Sequence, residues 1–154
     1  MPAQQPDPPQ VRIGFVYSDG NLPGTLRAYK AVLEEHPELT EQVILTFLTE
    51  SMFDDVNAQE ITSSDVLVVD TMNQQMLERF NAEHDIDLID AVQRRGHVYS
   101  VGEGLLPREQ YVSKGALYDE TPRTFWAHSG FNNQVGLLKL FLMLVKYVIN
   151  FGDQ

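Results

Sequence analysis

Residues 65–70 read DVLVVD, an unbroken apolar run closed at each end by an acid. Four β-branched or leucine residues in a row, too short for a helix and flanked by polar turns, predict a strand buried on both faces. Working outward, the same pattern recurs. Residues 11–18 (VRIGFVYS) predict a first strand that ends at the turn residues Asp19 and Gly20. Residues 42–49 (QVILTFLT) predict a second strand, and residues 97–101 (HVYSV) a fourth.

Helical signals separate these strands. Leu22, Leu26, Tyr29 and Leu33 recur at helical spacing up to His36, and Pro37 stops the run. Residues 51–60 predict a short helix with Ser51 as its N-cap and Asp54 three residues on. Residues 72–80 and 86–95 predict helix, with Gly96 closing the second. A helical turn is expected near residues 108–112 within the irregular stretch 102–123. Strand and helix alternate four times, which predicts a flavodoxin- or Rossmann-like three-layer α/β domain with a mainly parallel sheet.

A last helix is expected from Asn132 or Asn133 to Asn150. It is apolar nearly all round: Leu137, Leu138, Leu140, Phe141, Leu142, Met143, Leu144, Val145, Val148 and Ile149. Such a helix needs cover on several faces. The segment from Val135 to Phe151 is therefore expected to be central to the domain, or to meet further domains of a longer polypeptide. Lys139 and Lys146 interrupt it, and it falls short of the roughly 20 residues of a membrane span.

The chain has 154 residues, 43% of them hydrophobic, enough for one core. Residues 1–10 (MPAQQPDPPQ) form a proline-rich leader with no signal-peptide pattern, and 11–154 one α/β domain. The compartment stays open: cytoplasm, or periplasm and membrane association if a native signal was removed. The absence of cysteine excludes disulfides, thiolate zinc sites, iron–sulfur clusters and thiol catalysis. A net charge of −11 argues against nucleic acid and anionic lipid as partners.

Three acids follow predicted strands. Asp19, Asp70 and Glu103 would share the carboxyl edge of a parallel sheet, where a hard cation could be held. Turn and cap formation explains the same residues. Residues 18–24 (SDGNLPG) form a glycine-bearing loop without dinucleotide or phosphate-loop spacing. His36, His84 and His97 lie at a helix end, in an acidic loop and at a strand start, and no two histidines have zinc spacing. Residues 125–133 (FWAHSGFNN) gather the single Trp with two Phe, one His and two amides. This cluster could stack on a flat ligand through Trp126 and offer a metal ligand or proton acceptor through His128. A packed loop whose Asn caps the last helix explains it equally.

Residues 124–147 (TFWAHSGFNNQVGLLKLFLMLVKY) resemble the CobN / magnesium chelatase H family. There, aromatic residues lead to a Gly-Gly-x-x-Asn-Leu turn and a leucine-rich helix. Phe125 and Trp126 match the aromatic approach, Gly130 the second glycine and Asn133 the asparagine. Leu137, Leu138, Leu140 and Leu144 match the helix. The departures are Ser129 for the first glycine, Phe131 for a common proline and Gln134 for leucine, which suits a divergent branch linked to haem iron removal. VRIGFVYSDG and DVLVVD are similar to the family's opening α/β unit.

The resemblance implies the N-terminal domain of a large tetrapyrrole metal chelatase subunit acting on cobalt, magnesium or haem substrates. The domain would serve tetrapyrrole binding or scaffolding, and would not be catalytic alone. It implies Trp126, His128 and Asn133 as tetrapyrrole-binding residues, with His128 toward the metal. No tightly bound cofactor is expected in the domain itself, while tetrapyrrole and divalent metal belong to the full-length protein. Partners would be the remaining chelatase domains and ATPase subunits. Two rivals stand beside this reading. One is a receiver-like module with Asp70 as phosphoacceptor and Asp19 near Mg²⁺; against it, Asp19 stands without a second adjacent acid, and Lys114 sits in irregular sequence rather than after a fifth strand. The other is a ligand-free interaction domain.

Overall fold

The computed structural model describes residues 10–102, 105–117, 120–128 and 130–152, with side chains at 105–108, 121, 125, 128, 131 and 143–152 excepted. Of the proline-rich leader, residues 1–9 lie outside the described residues.

Four strands form one sheet: β1 (Val11–Val16), β2 (Val43–Leu48), β3 (Val66–Asp70) and β4 (His97–Val101). Every pairing is parallel and the order is β2-β1-β3-β4. The helices are α1 (Leu22–Glu35), α2 (Ala58–Thr62), α3 (Gln74–His84), α4 (Leu88–Gln93), α5 (Leu105–Ser113), α6 (Glu120–His128) and α7 (Phe131–Gly152). The architecture is the three-layer α/β class that the alternating pattern predicts.

Pleating sends alternate side chains to opposite faces, and each face has its own core. On one, Ile13, Phe15 and Tyr17 join Val66, Val68, Tyr99 and Val101 beneath Ala28 and Val32 of α1 and Leu137, Leu138 and Phe141 of α7. On the other, Val16, Leu67, Val69 and Val98 meet Ile61 of α2, Leu77 and Phe80 of α3, Leu88, Ile89 and Val92 of α4, and Tyr111 of α5. The chain steps from β1 to β2 through one layer. It then crosses back over β1 to β3 through the other. The reversal creates a switch point at the carboxyl ends of β1 and β3.

Several local expectations change. Ser51 caps no helix: residues 51–55 form turns, and α2 starts later behind Asn57, whose side chain accepts from the backbone N–H of Gln59 and Glu60. The buried face of α1 is Thr25, Ala28 and Val32, and Leu26 is 46% exposed. Small residues win that face because α7 lies close. A Cβ on Gly24 would stand 2.6 Å from the Gln134 side chain. Residues 71–84 form a 3-10 turn and α3, separated from α4 by Asp85 in the left-handed conformation (φ 52°). Strand β2 lies at the sheet edge, so Ile44 to Phe47 are only half-buried where full burial was expected.

Residues 120–128, expected as a loop, form α6, which packs on α7 and β4. Helix α7 begins at Phe131 and buries Leu137, Leu138 and Phe141. Lys139 reaches across to Glu35 of α1 at 2.7 Å. The expected apolar character of Met143, Leu144, Val145, Val148 and Ile149 concerns side chains outside those described. Among the described residues no helix is long and apolar enough to cross a membrane.

Candidate functional site

The carboxyl edge of the sheet is built from residues that immediately follow the strands. Pairing of β1 with β3, ending at Val16 opposite Val69, sets Ser18 beside the turn after Asp70. Asn73, nearly buried, donates through Nδ2 to Ser18 Oγ (3.1 Å) and to Glu50 Oε1 (3.2 Å). Glu50 Oε2 accepts the backbone N–H of Asp19 (2.9 Å). One amide thereby ties together the chain following β1, β2 and β3.

Asp19 faces β2's connection. Its carboxylate accepts the Ser51 hydroxyl (2.6 Å) and the Ser51 backbone N–H (3.1 and 3.3 Å to its two oxygens). The hydroxyls of Ser51 and Thr49 hold its carboxyl below the usual aspartate range. Asp70 is 7% exposed, and Oδ1 accepts the backbone N–H of Met72 (3.0 Å). Burial pushes its carboxyl up, against the opposing Met72 hydrogen bond. Beside it, Gly102 adopts φ +89°, and a Cβ there would lie 2.5 Å from Asp70 Oδ1. Glu103, the third expected acid, lies outside the described residues, so the trio is not seen together. Among the described residues no group of three His, Asp or Glu could hold a metal ion.

On the α1/α7 face of this edge, Tyr17 follows β1 directly. Its ring stacks on Phe15 (centroids 5.3 Å apart), on Phe47 (6.1 Å) and on Trp126 of α6 (5.9 Å). Trp126 is partly buried against the core and keeps part of its surface open. The Tyr17 hydroxyl is buried and, among the described residues, closes no hydrogen bond. Burial pushes it far above the ordinary phenol range, a shift that the Thr25 side chain opposes. His128 ends α6, with its side chain outside those described. Asn133 is the third residue of α7, half-buried and engaged.

Lys114, the lysine in irregular sequence that the receiver alternative does not account for, pairs with Asp87 at the start of α4 (2.8 Å). Ser18 belongs to the glycine-bearing loop noted in the sequence, while Tyr17, Glu50 and Asn73 carry no signal of a site there. Each reads there as an ordinary strand-end or turn residue, and the parallel pairing of β1 with both β2 and β3 brings them to one edge.

Compared with family models, with curated proteins and with solved structures, the chain finds no match.

Proposed function

We propose that this domain is the N-terminal part of a tetrapyrrole metal chelatase large subunit of the CobN / magnesium chelatase H type, and that it helps to bind or cover the macrocycle. One observation carries the reading. A half-buried Trp126, backed by Tyr17, stands near the edge where doubly wound folds place their ligands. A partly open aromatic face on a rigid aromatic support suits a flat conjugated ring, since stacking needs area and fixed orientation. The residues around it are also those that resemble the family.

In this reading Trp126 stacks, Asn133 helps to hold the macrocycle, and His128 approaches the metal or a pyrrole proton. Metal insertion or removal belongs to later domains of the subunit, assisted by ATPase subunits. Leu137, Leu138 and Phe141 are taken up by this domain's own core, and in this reading the remainder of segment 135–151 would meet those domains. The test is titration with haem, a metal-free porphyrin and a corrin, followed by Soret absorbance and Trp126 fluorescence. Saturable binding with quenching is expected. Absence of binding to all three overturns a ligand role for this domain.

A further inference from the structure

The two edges of the sheet are finished differently. At β4 the outer edge is closed: Leu117 donates its N–H to Val98 O (2.7 Å) and accepts the Ser100 N–H (2.8 Å). At β2 the ladder fixes which groups look outward. Val11 N–H bonds Gln42 O, and Tyr17 N–H bonds Leu48 O. With Val11 opposite Val43, the even residues Gln42, Ile44, Thr46 and Leu48 therefore face β1. The odd residues Val43, Leu45 and Phe47 turn their N–H and C=O groups away from the sheet. The Tyr29 hydroxyl confirms the parity by donating to Val43 O (2.9 Å). No hydrogen bond to the outward groups of Leu45 or Phe47 occurs among the described residues.

Exposed strand edges normally carry lysine, proline or a bulge that deters pairing. β2 has none of these. It is six regular residues, VILTFL, paired with β1 without a break in register. The segments that flank it in sequence carry one sign of charge, and the Arg79 guanidinium that lies over the Phe53 ring (4.3 Å) is paired with Glu83 (3.4 Å). Between Lys30 and Arg79 the sequence contains no lysine or arginine. Exposed Glu38 and Glu41 precede the strand, and exposed Glu50, Asp54 and Asp55 follow it. Arg12, behind the strand, is engaged with Thr46 (3.0 Å) and Glu60 (3.8 Å). Antiparallel pairing of two copies would set the acids preceding one β2 beside those following the other, and each chain carries −11.

We propose that the β2 edge is a docking site for an extended segment of a partner protein, alternating in pattern and carrying lysine or arginine at both ends. Outward N–H and C=O groups of Leu45 and Phe47 supply the ladder bonds, and the flanking acids select the basic ends. The inference stands independently of the tetrapyrrole reading.

Amide hydrogen exchange at Leu45 and Phe47 tests it, using as probe a short Val/Thr-alternating peptide flanked by lysines. The expected result is saturable slowing of both amides by about tenfold or more, weakened by salt and absent with a glutamate-flanked peptide. A lysine peptide N-methylated at alternate residues should lose the effect on the wild-type chain. Leu45→Pro removes an outward donor and no ladder bond, so it should abolish peptide binding with unchanged circular dichroism. Three outcomes overturn the proposal. They are slow exchange of both amides in the dilute free protein, equal protection by the glutamate peptide, and protection that rises with protein concentration alone, which would make the occupant a second copy.

Discussion

The Trp126 ring lies 5.9 Å from the Tyr17 ring with 27° between their planes. A helix in the second half of the chain is thereby fastened to the end of the first strand. The contact extends an aromatic row through Phe15 and Phe47. Trp126 therefore serves the core as well as any ligand, and its substitutions must be read on both accounts.

Trp126→Ala should cost about 2 kcal/mol in urea unfolding, below the 3–5 kcal/mol typical of a fully buried Trp because one side stays open. Trp126→Phe keeps a stacked ring and should cost less than about 1 kcal/mol. If the tetrapyrrole reading holds, Trp126→Phe retains most porphyrin affinity, and Trp126→Ala loses it even at temperatures where it remains folded. Equal affinity for all three proteins would remove Trp126 from any binding role.

Gly102→Ala should destabilise by about 2 kcal/mol or more, because φ +89° strains an L-residue and the new methyl meets Asp70 and Thr71. Gly20→Ala, with nothing within 4 Å of its Cβ, should stay within about 0.5 kcal/mol. Parallel thermal melts compare the two.

Asp70 titrates above its unfolded value because burial penalises the charge. The folded state thus binds its proton more tightly than the unfolded chain. This contribution is fully present below the unfolded pKa of about 3.9 and is lost as pH rises through the folded pKa. Asp70→Asn keeps an oxygen for the Met72 N–H and removes the charge. Relative to wild type, its stability should improve as pH rises from about 4 through the folded carboxyl's raised range. Denaturant unfolding across that range would show a constant difference if the carboxylate were well solvated.

Asn57→Ala should cost about 1 kcal/mol by releasing the N–H groups of Gln59 and Glu60. Ser51→Ala should leave α2 intact and loosen the Asp19 loop, since Ser51 bonds Asp19. Residue-resolved hydrogen exchange separates the effects: faster exchange at Gln59 and Glu60 in the first variant, and at residue 51 in the second.

Much of the fold was legible in the sequence. The apolar runs at 11–18, 42–49, 65–70 and 97–101 gave all four strands within a residue or two, because parallel strands buried on both faces must be nearly continuous in apolar character. Capping was less legible. Ser51 and Asn57 are both good N-cap types, and choosing between them depends on Asp19, thirty-two residues away, drawing Ser51 into a different bond. The helical face of α1 is legible in part: Leu22 and Tyr29 pack against the core as their spacing predicts, and Leu26 does not. Leu26 has the right spacing, but the approach of α7 at Gly24 selects Thr25, Ala28 and Val32.

The sequence by itself determined the class of fold, the acidic surface and the absence of thiol chemistry, because composition and short-range periodicity report burial and charge directly. Only the tertiary structure decided strand order, and strand order made β2 an edge and placed the switch point between β1 and β3. It also gave Asp19 and Asp70 different hydrogen-bond partners, and it set Trp126 against Tyr17. Contacts between residues far apart in the chain, from 32 positions for Asp19 and Ser51 to 109 for Tyr17 and Trp126, leave no periodic trace in it. They arise from packing two layers of helices on one twisted sheet.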